Sequence, residues 1–205
     1  MPLSNHDLVA RLGKLTASGM KHAMDFRQDK RPTAKRNEYM MQLVTERLTN
    51  ILTEHYVTPA MQWGMDNEEL AKIAYTAQTG NDYVDGYFLD HPEIDLFGAT
   101  PDGFVGKPGL LETKCPTTAT FIGWLTAGEV PDEHKPQMTA QLLVTGREWC
   151  DFCAYDPRMP EGKQVFIRRF TPTQTYRDKV RDAAIQFLAE VEQAFERVLA
   201  AEAVE

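Results

Sequence analysis

The sequence predicts an α/β fold of the α+β kind, with a mixed central β-sheet flanked by helices and a long helix closing the chain. Three observations carry this expectation. Helical spacing of apolar residues gives way near residue 80 to short, punctuated apolar runs, and a helical pair then separates these from two longer strands. A sustained apolar seam follows Pro172. The 205 residues contain no internal repeat, so one domain over 1–205 suffices, and it is long enough to bury a real core.

Each element has its own signal. Residues 37 to 54 place Met40, Leu43, Val44, Leu48, Ile51 and Leu52 at helical spacing, with Thr33 or Asn37 as caps. A second helix runs from about Pro59 to Gln78, with Leu70, Ile73 and Ala74 on its apolar face and Gly80 to stop it. Residues 83–89, 96–99, 104–105 and 110–113 are short apolar runs bounded by Gly, Pro and Asp, the pattern of an antiparallel meander. Helices return over 117–127 and 134–145. Strands over 148–155 and 163–170 flank the turn Asp156-Pro157-Arg158-Met159-Pro160. The last helix uses Val180, Ala184, Phe187, Leu188, Val191, Phe195 and Val198 as its buried seam.

Composition limits the function classes. No run approaches the roughly 18 apolar residues of a membrane span, and no signal-peptide stretch opens the sequence, so a cytoplasmic protein without a membrane partner is expected. Three cysteines suit reduced thiols better than a disulfide framework. The net charge of −8 is unevenly spread. From Arg11 to Arg36 eight basic residues face only Asp25 and Asp29, whereas seven acids outnumber three basic residues from Asp178 to Glu205. The basic end can face a polyanion such as nucleic acid.

The chemistry concentrates in PDGFVGKPGLLETKC, residues 101 to 115. Gly103, Gly106, Pro108 and Gly109 make it a hairpin. In its second strand Glu112 and Lys114, two apart, project from one face while Thr113 points away. Folding back brings Asp102 toward Glu112. Two converging carboxylates repel and call for a cation, and such hard oxygen ligands, with the Thr113 carbonyl as a further one, select Mg2+ or Mn2+. A lysine beside the metal can stabilise charge developing on a phosphate. The bland alternative is a surface hairpin with one Glu–Lys ion pair. Glu68 and Gln137 lie on predicted helices, where each alone would be an ordinary solvated residue.

The order of motifs decides between these readings. RLGKLTAS at 11–18, Trp63-Gly64 followed by Glu68, TPDG at 100–103, LETKCP at 111–116, Gln137 ahead of LLVTG, and AYDPRM at 154–159 resemble, in this order, the phage lambda exonuclease family of restriction-endonuclease-like nucleases with a PD-(D/E)xK site. The similarity spans roughly residues 10 to 170. It implies a restriction-endonuclease-like core, metal binding by Asp102, Glu112 and the Thr113 carbonyl, and Lys114 as catalytic lysine. Glu68 then matches an acid that holds metal-bound water, and Gln137 a residue that places the lysine or the scissile phosphate. Arg11 and Ser18 match a pocket for the 5′-phosphate of a DNA end, completed by Arg27, Arg31 or Arg36. If residues 11–18 are helical, Arg11 and Ser18 share one face. The family's helix-borne histidine near the metal has no clear counterpart in the sequence.

The resemblance thus implies a Mg2+-dependent 5′-to-3′ exonuclease using two ions, with Mn2+ able to substitute. Its substrate would be double-stranded DNA ends, its assembly a homotrimeric ring, its partner a single-strand annealing protein, and its setting the cytoplasm of a bacterial host. The alternatives are an endonuclease of the same class and a non-catalytic DNA-end-binding protein. Other features carry less. Cys150 and Cys153 form a CxxC, but one further cysteine cannot complete a four-thiolate cluster, and in a strand the two point to opposite faces. The five histidines are scattered without an HxH or HxxxH pair, which suits packing rather than zinc. Trp63, Trp124 and Trp149 are expected in the core.

Overall fold

The computed structural model describes residues 9–54 and 56–201. His6, His55 and the last four residues of the acidic C-terminal stretch lie outside them. The order begins with β1 (Leu15–Thr16), a 3-10 turn (Ala17–Gly19), α1 (Met20–Ala23), α2 (Ala34–Thr49) and α3 (Pro59–Thr79). The strands β2 (Val84–Asp85), β3 (Leu89–Asp90), β4 (Phe97–Ala99), β5 (Gly103–Val105) and β6 (Gly109–Lys114) follow. Then come α4 (Thr118–Ala127), α5 (Lys135–Thr145), β7 (Trp149–Tyr155), β8 (Val165–Phe170) and α6 (Gln174–Leu199). The α+β class with its long final helix is as the sequence predicts.

Helix starts follow local chemistry. Thr33, Thr58, Thr117 and Thr173 each accept a backbone N–H from the first turn of the helix that follows. Helix α2 ends sooner than its apolar spacing predicts. Asn50 takes a left-handed φ of 55° after Thr49, so Ile51 falls outside the helix and is 67% exposed. The face predicted for α3 is also corrected. Leu70 and Ile73 are exposed, and the buried face holds Asn67, Ala71, Lys72 and Tyr75. The reason is electrostatic: the Lys72 ammonium is buried because Glu68, at 3.1 Å, and Asp85, at 2.9 Å, neutralise it. A charged residue on the inner face hides that face from a hydrophobicity pattern.

The predicted meander is in fact split between two sheets. One has the order β1-β4-β3, with β1 parallel to β4; the other has the order β2-β5-β6-β7-β8. Strand β1, two residues long, offers no alternation for the sequence to show. In the larger sheet β5 and β6 form the antiparallel hairpin, with Gly103 opposite Leu111, and β6 runs parallel to β7 through the crossover carrying α4 and α5. Helices cover both faces. Leu110, Phe152 and Phe166 pack with Phe121 and Met138 on one side, and Leu111 and Cys153 pack with Tyr75 on the other. Cys150 and Cys153 therefore face opposite sides of β7, as alternation requires.

A third apolar cluster joins α1, α2, the smaller sheet, α5 and α6. Val180, Ala184, Phe187 and Val191 of α6 are fully buried in it, each large side chain contributing about 1.5–3 kcal/mol. Val198, predicted in the same seam, is 46% exposed near the helix end. Arg36 is locked into this layer. Its Nε donates to Ala23 O at 2.9 Å, its Nη1 to Glu190 at 2.7 Å, and its guanidinium lies between the Phe26 and Phe187 rings.

Candidate active site

The hairpin brings its acids together. Asp102 stands just before β5, opposite the end of β6, and its Oδ2 accepts from Thr113 N at 2.6 Å and Thr113 Oγ1 at 2.8 Å. Thr113 points toward the α3 side while Glu112 and Lys114 project together on the other. Glu112 is completely buried. Its Oε1 accepts from Gln137 Nε2 at 2.6 Å and from Lys114 Nζ, and its Oε2 accepts from Gln141 Nε2 at 2.6 Å. The Lys114 ammonium also donates to Thr113 O at 3.2 Å.

These groups open into a cleft of about 410 Å3 lined by Glu68, Asp102, Thr113, Lys114, Cys115 and Trp124 among others. Glu68 reaches it from α3, one helical turn before Lys72. Burial pushes the Glu112 carboxyl above its ordinary value and the charge of Asp102 adds to this, while Lys114 opposes it. Burial pulls the Lys114 ammonium down, but Glu112 and Asp102 override it and hold it well above its usual value. Burial likewise opposes the charge on Lys72, whose hydrogen bonds to Asp85 and Glu68 nevertheless raise it to about 12. Burial and the nearby Glu68 push the Cys115 thiol up to about 12, which removes it as a nucleophile.

Asp102, Glu112 and the Thr113 carbonyl are hard oxygen donors, the kind that could hold Mg2+ or Mn2+. Among the described residues no three His, Cys, Asp or Glu side chains come together. The oxygen donors near one another are the Asp102 carboxylate, whose charge acts on Glu112, the Glu112 carboxylate itself and the Thr113 carbonyl, a partial shell of the kind Mg2+ could complete with water and phosphate. A positive charge already stands at this point: the Lys114 ammonium touches both Glu112 Oε1 and Thr113 O, two of the three atoms assigned as ligands.

A second pocket of about 470 Å3 holds Arg11 and Ser18 with Lys14, Lys21 and His22, and Met61 lines both it and the cleft, so the two are neighbours. The segment that delivers Arg11 and Ser18 is not helical. It turns at Gly13, which has φ 66°, then enters β1 and the 3-10 turn. Glu46 Oε2 accepts from Gly13 N, and Arg47 Nε donates to Gly13 O, both at 2.9 Å, so α2 fixes the turn. Arg27, Arg31 and Arg36 do not line this pocket. Arg27 is exposed, Arg31 pairs with Asp29, and Arg36 is buried against Glu190. Lys14 and Lys21 supply its further positive charge, although Asp90 lies 2.6 Å from Lys14 Nζ.

Lys14 and Lys21 belong to the basic segment expected to face a polyanion, whereas Gln141 was not anticipated from the sequence. A signal for Gln141 existed: it follows Gln137 by four residues, one helical turn on the same face. The tryptophans are half-buried rather than core. Arg158, paired with Asp156, stacks over Trp63 at 4.1 Å, and Arg169 over Trp149 at 3.4 Å.

The sequence profile of the YqaJ-like viral recombinase domain matches residues 8–148. Comparison with curated proteins found no match. Two crystal structures of LHK-Exo, an alkaline exonuclease from Laribacter hongkongensis, one of them in complex with dAMP, are 37% identical to this chain, with a TM-score of 0.88. Each alignment covers 95% of this chain and 96% of that one. A phage-related exonuclease from Haemophilus somnus is similar in fold, with a TM-score of 0.66 at 14% identity over 90% of this chain and 96% of that one.

Proposed function

The chain belongs to the YqaJ-like viral recombinase family, and we propose that it is a Mg2+-dependent 5′-to-3′ exonuclease on double-stranded DNA. It releases mononucleotides and leaves a 3′ single strand for recombination by strand annealing. The observation that carries this reading is the meeting of Asp102, Glu112, Thr113 and Lys114 at one end of the hairpin, in a cleft that Glu68 shares. The dAMP held by LHK-Exo is the kind of product such a reaction forms.

Asp102, Glu112 and the Thr113 carbonyl are the groups that would hold the two ions, and bound Mg2+ supplies a nucleophilic water at neutral pH and offsets charge on the leaving oxygen. The remaining work falls to the chain. Lys114 presents a fixed positive charge to the scissile phosphate, where negative charge grows in the transition state. Gln137 shares Glu112 Oε1 with Lys114 and so sets where the ammonium sits. Glu68 orients water from the α3 side. In the neighbouring pocket Arg11 and Ser18, with Lys14 and Lys21, receive the terminal 5′-phosphate, a dianion that internal phosphates do not match. A homotrimeric ring, a single-strand annealing partner and the cytoplasm of a bacterial host complete the proposal.

The test is digestion of a linear duplex labelled at one 5′ end or one 3′ end, with Mg2+ or with EDTA, beside covalently closed plasmid. Early release of 5′-labelled mononucleotide only with Mg2+, and an intact closed circle, are expected. Cleavage of the closed circle would establish an endonuclease, and binding without cleavage a DNA-end-binding protein.

A further inference from the structure

Three donors converge on Glu112, but they divide unequally between its two oxygens. Oε1 accepts from Lys114 and Gln137, and Oε2 accepts from Gln141. The donors also differ in access. Gln141 is fully buried on α5 between the buried Ala140 and Leu142, whereas Lys114 and Gln137 are half-buried. Lys114 lines the cleft, and the oxygen it holds is on the same side as the Thr113 carbonyl it also reaches. One oxygen of Glu112 thus meets two half-buried donors, of which Lys114 lines the cleft, and the other meets a donor that is fully buried.

The Gln141 amide itself is unusual. Its Nε2 donates to Glu112, yet its Oε1 is buried and has no hydrogen-bond partner among the described residues. An apolar residue of equal size would fill this space without leaving a buried acceptor unmet. What the glutamine adds is the N–H directed at Oε2.

We propose that Gln141 is a positioning residue that clamps Oε2 of Glu112 and so dedicates Oε1 to a divalent cation, Lys114 and Gln137 being the exchangeable partners of that oxygen. The inference rests on the reading of Asp102 and Glu112 as the metal-binding pair. A carboxylate held at one oxygen loses its freedom to rotate, so the other oxygen stays on the side of Lys114, which lines the cleft. Gln137 and Gln141, four residues apart on one helix, then do different work on one side chain.

The experiment measures Mn2+ binding by calorimetry in the absence of DNA. Gln141→Met keeps length and bulk and removes the donor, and its Mn2+ affinity should fall about 10- to 100-fold, the usual effect of losing a hydrogen bond that orients a ligand. Saturating Mn2+ should then restore most of its turnover. Gln137→Met should lower turnover while leaving Mn2+ affinity near that of the wild type. A merely structural Gln141 would lower thermal stability and leave Mn2+ affinity unchanged, which would overturn the proposal. Should Gln141→Met not fold, the wild type still decides. With 15N-labelled glutamine, Mg2+ should shift the side-chain amide signal of Gln137, identified by its loss in Gln137→Met, and leave one solvent-protected amide in place. Movement of both signals would refute the division of labour. A wild type that binds no Mn2+ would overturn the metal-site reading itself, an outcome distinct from equal binding by wild type and Gln141→Met.

Discussion

Glu112 illustrates how much one side chain can be asked to carry, since it is buried, feels the charge of Asp102 and still serves three donors. Glu112→Gln or Asp102→Asn removes a charge but little volume. Each should cut Mg2+-dependent nucleotide release more than about 100-fold while a gel shift shows DNA still bound. Near-normal release by either variant would move the active site elsewhere. Lys114→Ala should fold and lose about 10²- to 10³-fold in rate, the scale on which a fixed transition-state charge acts. His134 gives a prediction about pH. Burial first, then the charges of Lys114 and Lys21, lower its pKa to about 3, and it lies against Phe152 and Trp124. Glu133, 3.5 Å away, is largely solvated and offsets little. The native value lies below the unfolded one, so the stability of neutral His134 is fully present above about pH 6.5. It is lost as pH falls toward 3, at about 1.4 kcal/mol per unit. His134→Phe keeps the ring stack and removes the titration, so its urea midpoint should fall less between pH 6.5 and 4 than that of the wild type. Parallel curves would show that other groups set the acid limit. The placement of Asp102, Glu112 and Lys114 at one end of a hairpin was legible from its glycines and a period of two, although the order of motifs was needed to prefer a site over a surface ion pair. The positive charge of Lys14 and Lys21 was legible in the basic segment from Arg11 to Arg36, but their gathering beside Arg11 in one pocket was not, because it depends on a turn fixed by Glu46, 33 residues beyond Gly13.

Elements with strong local periodicity were readable end to end: α4, α5, β7, β8 and most of α6. The faces and partners of shorter pieces were not. Strand β1 is two residues whose pairing with β4 is wholly non-local, and the inner face of α3 carries a lysine. Packing between elements leaves its own tests. A Cβ at Gly86, beside β2, would lie 1.7 Å from the carbonyl oxygen of Pro101, the residue before Asp102. The obstacle is backbone, so Gly86→Ala must displace the start of the hairpin. It should cost about 1–3 kcal/mol in stability and lower nucleotide release at temperatures where the protein remains folded. Unchanged melting and activity would mean that the β2–β5 edge is soft. The turn that carries Arg11 makes a second case. If its pocket reads the terminal dianion, 5′-phosphorylated duplex should be degraded much faster than 5′-hydroxyl duplex, and Arg11→Ala should erase most of the difference. A variant that slows both substrates equally would make Arg11 a general backbone contact instead.

The molecule as a whole has a net charge of −8, so its long-range attraction to DNA is weak, while Arg11, Lys14 and Lys21 gather positive charge at one pocket. Such a protein, acting as a single chain, has little to retain it on the duplex between successive cleavages. Backbone contacts few enough to slide are also few enough to dissociate, and they weaken steeply with salt. A closed ring removes this conflict, because topology rather than affinity keeps the duplex in place, and the acidic exterior then discourages binding in unproductive places. The homotrimer implied by the family resemblance is therefore expected in solution. Sedimentation should show a species near three times the 23.3 kDa chain mass, and degradation begun before a heparin trap is added should continue for many nucleotides. Raising the salt should slow initiation, which depends on charge at the free end, far more than it shortens the run once under way. A strict monomer at micromolar concentration would remove the ring, and a run that shortens with salt as steeply as initiation slows would place retention in electrostatic contacts instead.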